Sequence, residues 1–138
     1  MLDPCHIIID LSECAVHNLI DKKAIDHFLV TAVAKMKMTP IGLPDIVQFQ
    51  GKEAIECGIT ASQVLAESLI SIHTYPEMNM CYIDLFSCKH FDALLLYDYC
   101  REYFKADSGT MDRVKRMSVL DQRIRGGNHS THFTDIYF

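Results

Sequence analysis

Thr60-Ala61-Ser62-Gln63-Val64-Leu65-Ala66-Glu67-Ser68-Leu69-Ile70-Ser71-Ile72-His73-Thr74, then Tyr75-Pro76-Glu77-Met78-Asn79, then Met80-Cys81-Tyr82-Ile83-Asp84-Leu85-Phe86, is the stretch that decides the fold. Thr60 to Glu67 and Leu69 to Thr74 read as strand material, joined by or running through Ser68. The Tyr-Pro-Glu-Met-Asn stretch reads as a turn. Met80 to Phe86 alternates as a further strand, so an antiparallel pair with Leu69–Thr74 is expected.

Outward from this centre, His6 to Leu11 reads as a strand buried on both faces for most of its length. Asp21 is placed as a helix N-cap, and Ile25, Phe28, Leu29, Ala32, Val33 and Met36 follow at helical spacing. Thr39-Pro40-Ile41-Gly42 breaks that helix, Asp45 to Gln50 is a strand candidate, and Gly51 to Gly58 is a polar loop. A second helix is expected over Phe91 to Phe104, with Ala93, Leu96, Tyr97, Cys100 and Phe104 on one stripe. Asp107-Ser108-Gly109 is expected to stop it, and Arg113 to Val119 to form a last strand.

Two helices cannot cover both faces of such a sheet. The expectation is therefore an α+β fold, an antiparallel sheet with both main helices on one face. The other face must be polar or pack on another subunit, and because several strands are apolar on both sides a homodimer is favoured. Residues 1–120 form one expected domain, followed by a polar C-terminal tail, 121–138.

The 138 residues are 49% hydrophobic and 22% charged, a profile of a globular domain with a real core. A net charge of −5 argues against a nucleic-acid partner, which calls for clustered basic residues. Ile7-Ile8-Ile9, ended by Asp10, is far too short for a signal peptide or a membrane span. Cys5, Cys14, Cys57, Cys81, Cys88 and Cys100 include no C-x-x-C pair and no zinc spacing. They read as reduced thiols of a cytoplasmic protein, most of them small core residues, and no metal ligand set is visible.

Ala66-Glu67-Ser68-Leu69-Ile70-Ser71-Ile72-His73-Thr74-Tyr75-Pro76-Glu77, followed by Ile83-Asp84-Leu85-Phe86-Ser87-Cys88, resembles the signature of the prokaryotic S-adenosylmethionine decarboxylase family. That signature is an E-S-H-x-x-I-H-T-W-P-E run and then D-x-F-[TS]-C, matched without a gap from Glu67 to Cys88. His6 to Asp10 and Glu13-Cys14 also resemble the family's opening strand. Strong in the middle and loose elsewhere, the resemblance spans most of residues 5 to 106.

The resemblance implies self-cleavage between Glu67 and Ser68, turning Ser68 into a pyruvoyl cofactor that forms a Schiff base with the substrate amine and accepts electrons as CO2 leaves. It assigns His73 to the processing acid–base step, Thr60 to its support and Cys88 to reprotonation of the substrate carbon. Glu77 matches the glutamate that binds the substrate ribose, while Asp10 and Glu13 are acidic positions suited to a positive group. A dimer forming an αββα sandwich, with sites near the interface, is implied as well.

Three departures bear on the substrate. Leu69 stands where the family usually has histidine, Tyr75 where it has tryptophan, and Ala54 aligns with the adenine-stacking aromatic, with Phe49 nearby. S-adenosylmethionine is the leading substrate. Another amino acid such as ornithine or arginine, and a non-processing binding relative, are the alternatives. Ser68 and His73, five apart, fall on opposite faces of a flat strand, which calls for a bulge between them or a serine just outside the regular strand.

Overall fold

In the computed structural model, which describes residues 5–117, the strands are β1 (Cys5–Ser12), β2 (Asp45–Phe49), β3 (Gly58–Leu65), β4 (Ser68–Tyr75), β5 (Met80–Ser87) and β6 (Ser108–Val114). They form one antiparallel sheet in the order β2-β3-β4-β5-β1-β6. The helices are α1 (Lys22–Lys35) and α2 (Ala93–Phe104). The expected tail, 121–138, lies outside the described residues. Among these residues no helix is long and apolar enough to cross a membrane.

Both helices begin where a short carboxylate satisfies an otherwise orphaned amide. Asp21 accepts from the Lys23 N–H at 2.9 Å, and Asp92 from the Leu95 N–H at 3.0 Å. Asp92 sets the start of α2 at Ala93, two residues later than Phe91. Ile25, Phe28, Leu29, Ala32 and Val33 form the buried stripe of α1, and Leu96, Cys100 and Phe104 that of α2. Phe28 joins the two helices. Its ring lies 4.9 Å from Phe104 and 5.5 Å from Tyr99, and the Tyr103 hydroxyl donates to the Ala24 carbonyl at 2.7 Å.

The helix layer packs on Ile7, Ile9 and Leu11 of β1, Ile70 and Ile72 of β4, and Ile83 and Leu85 of β5. Alternation puts every second strand residue on the opposite face, which no element of the described chain covers. β1 is therefore not buried on both faces as expected: Ile8 is only partly buried and Asp10 is exposed.

The last strand also differs from its expected place. It spans Ser108–Val114 rather than 113–119, and Asp107-Ser108-Gly109 does not end α2. Lys105, in the left-handed conformation at φ 50°, closes the helix, and the Ala106 N–H then returns to the Arg101 carbonyl at 3.0 Å. Gly109 belongs to the strand because it pairs with Leu11, where a side chain would collide with Leu11 and the Tyr97 hydroxyl. Gly58, at φ 152°, likewise allows β3 to start against the Thr74 carbonyl, which a Cβ would strike. The Gly51–Gly58 loop holds a short 3-10 turn, Ala54–Glu56, with reciprocal capping by Glu53 and Glu56.

Candidate active site

β3 and β4 form a hairpin in which Leu65 pairs with Ser68, so Ala66 and Glu67 make the two-residue loop. Ser68 opens β4 with φ at 147°, a conformation that favours glycine and costs about 1–3 kcal/mol for another residue. No bulge separates it from His73, since the pairing runs unbroken from Leu65–Ser68 to Thr60–His73. Neither expected geometry holds: Ser68 is the first residue of β4, inside the ladder and paired with Leu65 and Ser87, and only its backbone φ is unusual.

The bond before Ser68 is held on several sides. The carbonyl oxygen of Glu67 accepts from the Cys88 backbone N–H at 2.9 Å. The Glu67 carboxylate accepts from the Thr39 N–H at 2.9 Å and from the Thr39 hydroxyl at 3.3 Å, while the Ala66 N–H donates to the Thr39 carbonyl at 2.9 Å. Cys88, half-buried, follows Ser87, the cross-strand partner of Ser68 on β5. A serine hydroxyl, a distorted peptide and a donor already aimed at the carbonyl oxygen make an arrangement suited to attack on that carbonyl.

Thr39 is a residue that sequence reasoning missed. Twenty-eight positions from Glu67, it carried only the signal of a helix break. Its amide, first, and its hydroxyl hold the Glu67 carboxyl below the ordinary glutamate range. The sign follows: this carboxylate's hold on the loop is complete above the ordinary value near about 4.3 and is lost as pH falls through the lower folded value. In the uncleaved Ser68→Ala chain, the carboxyl carbon of Glu67 should titrate in NMR with a midpoint below about 4.3. A midpoint at or above that value would show the Thr39 contact absent in solution.

The other expected residues gather elsewhere. Thr60, His73, Tyr82 and Asp10 are successive cross-strand partners along one row of the uncovered face. The Thr60 hydroxyl lies 2.6 Å from His73 Nδ1, and the His73 ring meets Tyr75 edge-on at 4.5 Å. Burial pushes the His73 imidazole below its usual value, leaving it neutral near pH 7 and able to take a proton. Desolvation first, then the Asp84 and Asp112 carboxylates, raises the Asp10 carboxyl. Glu13, at φ 55°, lies in the turn after β1.

Glu77, on the 3-10 turn Pro76–Met78, lines a cleft of about 740 Å³ together with Phe49, Gln48, Gln50 and Lys22. The Phe49 ring is half exposed there, whereas Ala54 is not among the lining residues. His73 stands five strand positions from Ser68, roughly 17 Å at about 3.4 Å per residue, and on the other face. The chain thus brings Glu67, Ser68 and Cys88 together at one end of the sheet, Thr60 and His73 toward the other. It does not bring the two sets together.

Comparison with known proteins agrees with this architecture. The S-adenosylmethionine decarboxylase family profile matches residues 5–117. An S-adenosylmethionine decarboxylase proenzyme of Methanococcus maripaludis is 35% identical over 121 residues, 87% of this chain and 94% of that one. Its counterpart from Symbiobacterium thermophilum is 35% identical over 97 residues, 70% and 69% of the two chains. Among solved structures, the adenosylmethionine decarboxylase from Aquifex aeolicus VF5 superposes with a TM-score of 0.72 at 27% identity, covering 86% of this chain and 93% of that one. With the profile spanning the whole described region, the chain belongs to the S-adenosylmethionine decarboxylase family.

Proposed function

We propose that the chain is a proenzyme that cleaves itself between Glu67 and Ser68 and then decarboxylates S-adenosylmethionine. The observation that carries this reading is the Cys88 N–H held 2.9 Å from the Glu67 carbonyl oxygen, beside a serine at φ 147°. Ser68 Oγ attacks the Glu67 carbonyl carbon, and the amide nitrogen leaves as the ester forms. Negative charge on the Glu67 oxygen meets the Cys88 N–H. Loss of the Ser68 α-proton then expels the Glu67 carboxylate, leaving dehydroalanine at the head of residues 68–138. Water replaces its nitrogen, which departs as ammonia, and the pyruvoyl group remains.

When formed, that group supplies the carbonyl electron sink for loss of CO2. In this reading the Cys88 thiol returns the proton to the substrate carbon, a role supported by its place next to Ser87, the cross-strand partner of Ser68. Glu77 accepts hydrogen bonds from ribose hydroxyls and the Phe49 ring stacks on the adenine, both from the same cleft. Asp10, in the His73 row, favours a cationic substrate. Reduced thiols suit a cytoplasmic enzyme, and all six cysteines are free.

The working unit in this reading is a homodimer. Support comes from the roughly 17 Å between Ser68 and His73, too far for any proton transfer within one chain. A two-fold arrangement of two uncovered faces sets the His73 row of each copy against the Ser68 end of the other. Such a pairing also buries Val47, Val64, Leu69 and Tyr82, all exposed in the single chain, and makes an αββα sandwich.

Leu69 favours a second reading, an unrelated amino acid as substrate. It is 39% exposed and lies between Val64 and Phe86, an apolar row beside Ser68. Release of labelled CO2 from carboxyl-labelled S-adenosylmethionine, ornithine and arginine separates the two. The expected result is turnover of S-adenosylmethionine alone, with Phe49→Ala raising its KM about 5- to 150-fold, equivalent to about 1–3 kcal/mol of stacking. Turnover of ornithine or arginine instead, unaffected by Phe49→Ala, would transfer the assignment to the second reading.

A further inference from the structure

A second cleft, of about 690 Å³, opens on the helix side of the sheet between the end of α1, the β5–α2 link and β6. Lys35, Lys37, Lys89 and Arg113 line it, four cations from three separate segments of a chain whose net charge is −5. Asp92 is the only carboxylate in its wall, and that side chain already caps α2 through the Leu95 N–H. Among the described residues the one ion pair is His6 with Asp84, on the other face of the sheet, so no carboxylate neutralises these cations within 4.0 Å. Lys89 Nζ donates to the Lys37 carbonyl at 2.8 Å, and Lys35 Nζ lies 5.3 Å from the Tyr99 ring centre.

Beneath this rim the floor is apolar, built by Cys5, Ile7, Met36 and Phe91, all buried. The N-terminal end of α2 opens at the same place and adds partial positive charge. The four cationic side chains are exposed along the rim of this open cleft, and their clustered positive charge above the apolar floor favours an anionic ligand. A volume near 690 Å³ is that of a small-molecule site.

We propose that this cleft binds a small organic phosphate ester, its phosphate held by Lys37, Lys89 and Arg113 and its apolar body on the Ile7–Phe91 floor. The cleft is separate from the Glu77 cleft, and its occupancy does not require cleavage of the chain. Two chain segments run from it to the scissile loop. Thr39, which holds the Glu67 carboxylate, is two residues beyond Lys37, and Cys88, which holds the Glu67 carbonyl, precedes Lys89.

Calorimetric titration of the full chain and of uncleaved Ser68→Ala with 1-naphthyl phosphate, inorganic pyrophosphate and neutral 1-naphthol tests the assignment. Saturable binding of 1-naphthyl phosphate, one per chain, is expected for both proteins, weakening with added salt. Lys37→Ala with Arg113→Ala should weaken it at least tenfold, while Lys23→Ala with Lys52→Ala, an equal loss of charge elsewhere, should not. Pyrophosphate and 1-naphthol should each bind more weakly than the ester. Absence of saturable binding, or equal effects of the two double variants, would overturn the site. An affinity that falls as protein concentration rises would give the cleft to a second copy of the chain, and overturn it equally.

Discussion

Ser68→Ala is expected to yield a single 15.8 kDa chain on intact-mass measurement, where the unmodified protein yields residues 1–67 and 68–138. The second fragment should be lighter than its encoded mass by one ammonia, the difference between an amino-terminal serine and a pyruvoyl group. Alanine keeps the β-carbon and the strand register but removes the attacking oxygen, so the loss should be complete. Ser68→Thr and Ser68→Cys, which retain a nucleophile, are expected to cleave slowly, and thereby separate loss of chemistry from loss of fold. An unmodified chain that stays whole on long incubation would favour the non-processing, binding reading of the family resemblance. A cleaved Ser68→Ala chain would refute the serine's role outright.

His73→Ala should slow cleavage about 10²- to 10⁴-fold, the usual contribution of a general acid–base group. The geometry adds a sharper expectation. In the proposed homodimer His73 of one copy serves Ser68 of the other, so co-expression of His73→Ala with Ser68→Ala should restore cleavage of the His73→Ala chain. In mixed pairs that chain keeps its serine and borrows the partner's imidazole. The pH profile provides an independent check. Because burial lowers the His73 value, the base form persists to lower pH, and the cleavage rate should rise with pH and level off through a midpoint below about 6.5. Failure of the mixed pair to cleave, with each single variant folded, would place the proton transfer within one chain and sink the two-copy site.

The two main helices were legible because their signals are local. Asp21 precedes an apolar stripe of period 3.6, and capping and amphipathic burial act over neighbouring turns. The central hairpin was legible for the same reason. Its strands are contiguous, and pairing follows once the turn is located. The last strand was misplaced because its pairing with β1, far back in the chain, decided its limits. Ser108 and Gly109, which read as a stop, are held in the ladder by Ser12 and Leu11.

The candidate site divides along the same line. Ser68, His73, Cys88, Thr60 and Glu77 were named from one segment and its neighbourhood. Their separation was partly visible, since odd spacing on a regular strand puts two side chains on opposite faces. What no pattern in the chain carried was the grip on the Glu67–Ser68 bond. Thr39 reaches it only because the segment after α1 runs beside the end of β3, where the Ile41 N–H donates to the Val64 carbonyl at 2.9 Å. Cys88 acts on the same bond through its backbone amide, a group every residue but proline possesses and residue identity therefore cannot mark.

By itself, then, the sequence determined the elements governed by local energetics: two capped amphipathic helices, the alternating strands and the residue types able to do this chemistry. Tertiary structure alone decided which face stays uncovered, where β6 begins and which oxygen receives the Cys88 amide. Those depend on contacts between segments tens of residues apart, made only after the sheet has closed. Hydrogen bonds of that kind are selected by position in space, and composition and spacing along the chain do not encode them.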